Sequence, residues 1–216
     1  MTLAALAAGT PFLAPGTYEY TASLSGQPAA TSKLTVAHNG GATDIDEDSS
    51  GSLGGMKLSG KATLVLGADL APTQYNGNYE SPAQKATVTV ALTPTSATIM
   101  GSAVNGGPQA LALSANTRHF VVIEPGLMAG LFALPAQVET WKDAAVTAIA
   151  PVTGRAQTLA TNTAATSARP SDVPPQDSSL SFGGQVPFTI WYDPATFVPD
   201  EIIVPLQHAV VTRVRS

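Results

Sequence analysis

Apolar and polar residues alternate with a period of two along most of the chain, the mark of strands with one buried face. Tyr18, Tyr20, Ala22 and Leu24 share one face of 17–24, and a Ser25-Gly26-Gln27-Pro28 turn follows. Leu34 and Val36 alternate with Lys33 and Thr35 ahead of an Asn39-Gly40-Gly41 hairpin turn. Residues 43–49 then return as a polar strand. In 56–66, Met56, Leu58, Ala62, Leu64 and Leu66 stand in one phase. Further strands are predicted at 73–80, 85–92, 97–104, 109–114 and 117–124. The links between them carry Asn-Gly or proline: Asn76-Gly77, Pro82, Pro94 and Asn105-Gly106-Gly107-Pro108.

The rhythm changes at 125–141, PGLMAGLFALPAQVETW, where Leu127, Leu131 and Leu134 recur at helical spacing beside Met128 and Phe132. Pro125 suits a helix start, and Pro135 is expected to end or kink that helix. Beyond Trp141, strands are predicted at 145–150, 155–161, 179–182, 187–193, 200–205 and 209–215, with a turn at Asp193-Pro194-Ala195-Thr196. The stretch 167–178, ARPSDVPPQ at its heart, reads as a loop within one domain. About a dozen strands joined by short hairpins imply a mainly β fold. The expectation is a curved antiparallel sheet, half-barrel or barrel, with one or two short helices packed on it. Residues 17–216 form that single domain, and 1–16 read as an N-terminal helix or a signal-peptide remnant.

Composition narrows the function. The 216 residues include no cysteine, which excludes disulfides, thiol nucleophiles and thiolate metal sites. Ten basic residues spread over a chain of net charge -5 make a broad nucleic-acid footprint improbable. No apolar run reaches the ~18–20 residues of a membrane-spanning helix, so no integral span is expected. Ala5-Leu6-Ala7 has the form of a signal-peptidase site without a basic segment before it. Low charge and β-rich patterning point to the periplasm or the cell exterior.

Candidate chemistry is sparse. Asp44-Ile45-Asp46-Glu47-Asp48 departs from a calcium loop at its sixth and twelfth positions, Ser49 and Gly55. As a strand it puts Asp44, Asp46 and Asp48 in solvent and Ile45 inside. His38, His119 and His208 show no metal-ligand spacing. His119 and Glu124 are five apart, on opposite faces of a regular strand. Neither a nucleophile elbow nor a phosphate-binding loop is present. No catalytic set, metal site or cofactor is therefore expected.

What stands out is apolar. Leu127, Met128, Leu131, Phe132, Leu134 and Trp141 lie on the lone helix, which either plugs the curved sheet or walls a hydrophobic cavity. Phe188 faces the same interior. Of Trp191 and Tyr192, the phase with Val186, Phe188 and Ile190 puts Tyr192 inside and Trp191 on the other face.

The closing run VPFTIWYDPATFVPDEIIVPLQ, with its Trp191-Tyr192-Asp193-Pro194-Ala195-Thr196 hairpin, resembles exported bacterial β-rich proteins of unknown function. More distantly, the pattern is similar to the half-barrel of the LolA and LolB lipoprotein carriers. That likeness implies a curved sheet that holds acyl chains under helices. The leading expectation is a non-enzymatic exported protein. It binds an apolar small molecule or lipid in the concave face, with Leu127, Met128, Leu131, Phe132, Trp141 and Phe188 as contacts. An envelope protein partner fits the same setting. One alternative is a structural or interaction module with a filled core and the Asp44–Asp48 face presented to a partner. A remoter one is a hydrolase in which His119, Glu124 and Ser102 converge.

Overall fold

A computed structural model describes residues 13–53, 56–81, 85–93, 96–101, 109–112, 117–162 and 167–215. The segment 1–8, Ser102 and the links at Pro82, Pro94 and 105–108 lie outside them. The strands are β1 Gly16–Leu24, β2 Gln27–Asn39, β3 Ala42–Leu53, β4 Met56–Leu66, β5 Pro72–Glu80, β6 Lys85–Leu92, β7 Ser96–Gly101, β8 Gln109–Ala112 and β9 Phe120–Val122. After helix α1, Ala129–Trp141, come β10 Ala145–Ala150, β11 Arg155–Asn162, β12 Ser178–Gly183, β13 Phe188–Tyr192, β14 Pro199–Val204 and β15 Ala209–Val214.

All fifteen strands form one sheet, in the order β8-β7-β6-β5-β4-β3-β2-β1-β15-β14-β13-β12-β11-β10-β9. Every neighbouring pair is antiparallel except β9 and β10, which are parallel because α1 is the crossover between them. The sheet curls without closing. β9 lies against β5, and the 3-10 turn Pro151–Thr153 against β6, while β9 and β8 remain the two edges. The Gly40-Gly41 hairpin works because both residues sit at positive φ, 57° and 92°.

The registers carry inward-facing rows across the sheet. One runs Tyr18–Leu34–Glu47–Ala62–Gly77–Val88, and the next Val36–Ile45–Leu64–Tyr75–Val90–Ile99. All twelve side chains or glycines are buried. Asn76-Gly77 is therefore not a link, as expected from sequence, but the middle of β5. The missing Cβ of Gly77 makes room for the Tyr75 ring, since a Cβ there would lie 2.8 Å from its hydroxyl.

The helix departs from expectation at both prolines. Pro125 lies within a turn, closed by Leu127 N–H to Glu124 O at 3.1 Å, and α1 begins at Ala129. Pro135 is inside the helix, which continues to a left-handed Lys142 whose N–H donates to Val138 O. A proline there normally costs about 3 kcal/mol, but α1 is enclosed rather than laid on a surface. Nine of its thirteen residues are buried, on every side, and that packing overrides local preference. The strand expected over 117–124 is shorter, only Phe120–Val122.

Candidate functional site

Helix α1 occupies the concave face. Phe132 is fully buried, with its ring 5.2 Å from that of Tyr18 and edge-on to Tyr20 at 6.2 Å. Polar anchors hold both ends. At the start, Glu47 Oε2 accepts the N–H groups of Met128 and Ala129, each at 2.7 Å. This carboxylate meets the orphan donors and positive end of the helix dipole, and Ser49 Oγ donates to its other oxygen. Burial still raises the Glu47 pKa, against the lowering effect of these bonds. At the far end Gln137 Nε2 donates to Leu70 O at 2.9 Å, and Trp141 Nε1 to Asp69 O at 2.7 Å. The Tyr192 hydroxyl donates to Glu139 Oε1 at 3.1 Å.

Glu47 escaped the sequence reading, which followed only the three aspartates to solvent. Asp46 and Asp48 are exposed as expected and Asp44 is half-buried. The signal for Glu47 was nonetheless present, because it shares the parity of the inward Ile45.

A second buried acid lies nearby. Glu124 Oε2 accepts Val152 N–H at 2.7 Å, and burial pushes its pKa up to about 7. The Tyr75 hydroxyl is buried without a hydrogen-bond partner among the described residues; that burial, and after it the charges of Glu124 and Glu47, holds its pKa far above the usual range. The Tyr79 hydroxyl donates to Pro125 O.

The sequence-derived contacts are spread through this interior. Leu127 and Met128 are buried at the start of the helix, where Leu127 fills the space left by Gly60. Leu131 and Trp141 are half-buried and pack on the core. Phe188 is buried in a stack with Phe182, ring centres 4.7 Å apart. Tyr192 belongs to the core as expected. Trp191 lies on the other face and is buried as well, beneath Arg169 at 4.5 Å from the ring centre.

His119 does not pair with Glu124. Its Nδ1 lies 2.6 Å from Asp143 Oδ2, and its ring stacks on Trp141 at 4.2 Å. His119 and Asp143 stand twenty-four positions apart, a separation that gave no sequence signal for this contact.

The helix does not reach the end of the concavity. Thirteen residues span about 20 Å, the length of roughly six strand residues or three inward rows. Leu127 stands over the row Arg213–Tyr20–Ser32–Ser49–Gly60. The next row outward is Ile202–Val211–Ala22–Ala30–Gly51–Leu58. Only Ile202 is fully buried there. Val211, Ala22, Ala30 and Gly51 are half-buried, and Leu58 is 38% exposed although it keeps the inward phase. This is an open shelf with a floor of small side chains. Two open depressions, of about 330 and 450 Å³, also lie along the sheet, and the second is lined by Ala22, Ala30 and Gly51 of this row together with Thr21, Thr31, Ser50 and Thr212. The first is lined by polar residues of β2 to β5, including Lys33, Asp46, Asp48, Lys61, Asn76 and Asn78.

No protein-family model matches the sequence, and no curated protein sequence matches it. In fold the chain is similar to a β-barrel-like protein of the domain of unknown function DUF1849 from Brucella abortus. The TM-score is 0.53 over 94% of this chain and 97% of that one, at 10% sequence identity. Identity that low makes this a likeness of fold. The chain is thus a mainly β, barrel-like protein with one large curved sheet around a single described helix.

Proposed function

We propose that the protein is a non-enzymatic carrier or sensor of an apolar ligand, a lipid or acyl chain. The ligand lies on the open shelf beside the start of α1, in the periplasm or at the cell exterior. The observation that carries this reading is the inward row Val211–Ala22–Ala30–Gly51–Leu58, which is half-buried to exposed and lies beyond the start of α1 among the described residues. The short side chains of Ala22 and Ala30 leave depth above the sheet, and Leu127 closes the inner end. Burying an alkyl chain contributes about 0.8 kcal/mol per CH₂. Ten methylenes therefore give about 8 kcal/mol before the costs of ordering the ligand. Binding beneath the helix is disfavoured by comparison. Displacing Leu127, Met128, Phe132 and Leu134 forfeits about 1.5–3 kcal/mol each and strips Glu47 of two donors.

Native mass spectrometry of the purified protein, with organic extraction, tests the proposal. A lipid-sized adduct is expected, and Ala30→Glu with Leu58→Glu should abolish it while circular dichroism stays unchanged. An adduct retained by that folded variant would overturn the shelf assignment. A second reading, an interaction module, rests on the polar outer depression around Asp46 and Asp48. A clean apo mass after incubation with lipid extract would favour it.

A further inference from the structure

The proline-rich loop 167–177 is packed rather than projecting, and it carries an unusual set of acids on its underside. Two turns shape it, closed by Val173 N–H to Pro170 O at 3.3 Å and Asp177 N–H to Pro174 O at 3.1 Å. Val173 is buried. Arg169 lies over Trp191, with Nη1 donating to Pro174 O at 2.5 Å and Nη2 to Asp177 O at 2.7 Å. Arg215 ties the loop to the sheet, donating to Asp172 O at 3.5 Å while its Nη2 lies 3.2 Å from Asp200 Oδ1.

Beneath the loop two acids are shut away from water. Asp177 is 4% exposed, and both its oxygens are buried without a hydrogen-bond donor among the described residues. Glu201, also 4% exposed, lies under the influence of Asp172 and accepts a bond from Thr212. The charged groups facing Asp177 are Asp200, Arg215 and Asp193. Arg213 lies 3.4 Å from Asp200 Oδ1, and the Asp200 charge also reaches Tyr20, whose hydroxyl donates to Pro199 O at 2.7 Å.

We propose that 167–177 is a pH-sensitive strap, seated over Trp191 and Glu201 in mildly acid medium and lifted from them as the pH rises through neutrality. A protonated Asp177 donates to the neighbouring Asp200 carboxylate and closes the strap's end. Ionised, the two buried carboxylates repel each other, with Arg213 and Arg215 on Asp200 offsetting them in part. Glu201 acts in the same direction, since its ionisation sets it against Asp172. Burial pushes Asp177 and Glu201 each up to about 7, which places the transition near neutral pH. Pro170, Pro174 and Pro175 stiffen the segment, so it moves as a unit.

The test uses Trp191 as reporter in a Trp141→Phe background, with acrylamide quenching followed from pH 5.5 to 8.5. Quenching is expected to rise several-fold with a midpoint near 7, while far-ultraviolet circular dichroism stays constant. Adding Asp177→Asn and Glu201→Gln should abolish the transition. The protection factors of the Val173 and Asp177 amides in the unmodified protein, taken against the intrinsic exchange rate at each pH, should fall over the same range, a readout independent of any variant. Equal shielding at both ends of the pH range, or a transition retained in the double variant, would overturn the strap. So would a simultaneous loss of β signal, which means global unfolding.

Discussion

Glu47 is the residue on which the seating of the helix turns. It sits on a strand whose neighbours face water, and it spends its charge on two backbone donors eighty-one and eighty-two residues away. Glu47→Ala leaves those donors buried and unpaired, at about 1–3 kcal/mol for each group. Urea unfolding should show the loss as a lower midpoint. Phe132→Ala removes the ring between Tyr18 and Tyr20 and should cost about 3–5 kcal/mol by the same measurement. Because Phe132 is fully buried, it reports on stability rather than on ligand uptake. The half-exposed shelf residues are the better probes of binding.

At the scale of elements, α1 and β9 meet at a point with no tolerance. A Cβ added to Gly130 would lie 1.6 Å from Val122 O, so Gly130→Ala must push the helix off the strand. Overpacking of this kind costs about 1–3 kcal/mol. The expected signature is a weakened near-ultraviolet signal from the Tyr18–Tyr20–Phe132 cluster with far-ultraviolet strand content retained. An unchanged near-ultraviolet spectrum would show that the helix is not seated as described. The strands themselves needed little help from context. The bounds read for 85–92 and 145–150 coincide with those of β6 and β10, because alternation is a local property that any inward-facing strand must show. The helix was legible in its existence but not in its limits, since enclosure on every side removed the polar face by which such limits are read.

For the whole molecule, the buried acids set how stability depends on pH. Glu124, Asp177 and Glu201 are each pushed up to about 7, and Glu47 is raised, with burial the largest cause in every case. Their folded values exceed the unfolded ones, near 4 to 4.5, so the folded state holds more protons between these limits. Their contribution is fully present below about pH 4 and is lost as the pH rises through about 7. The melting temperature is therefore expected to be higher at pH 5.5 than at pH 8. A Tm that climbs across this interval would contradict the burial of these carboxyls. The fold likeness to the Brucella abortus β-barrel-like protein spans 94% of this chain and 97% of that one, and the curved sheet runs through the described strands from Gly16 to Val214 rather than through one segment.

The sequence by itself determined that the chain is a mainly β, curved antiparallel sheet with a helix near 125–141 packed on it, and which face of most strands is apolar. Those features follow from spacing along a few residues. Tertiary structure decided that Trp191, correctly put on the outer face, is nevertheless covered, because a loop about twenty residues earlier folds back over it. It also decided that His119 pairs with Asp143, and that Leu58, in phase with the core, lies past the end of the helix that would bury it. Each of these depends on where a distant segment stops or turns. Local alternation sets the side of the sheet a residue faces, but only the assembled molecule sets what stands opposite.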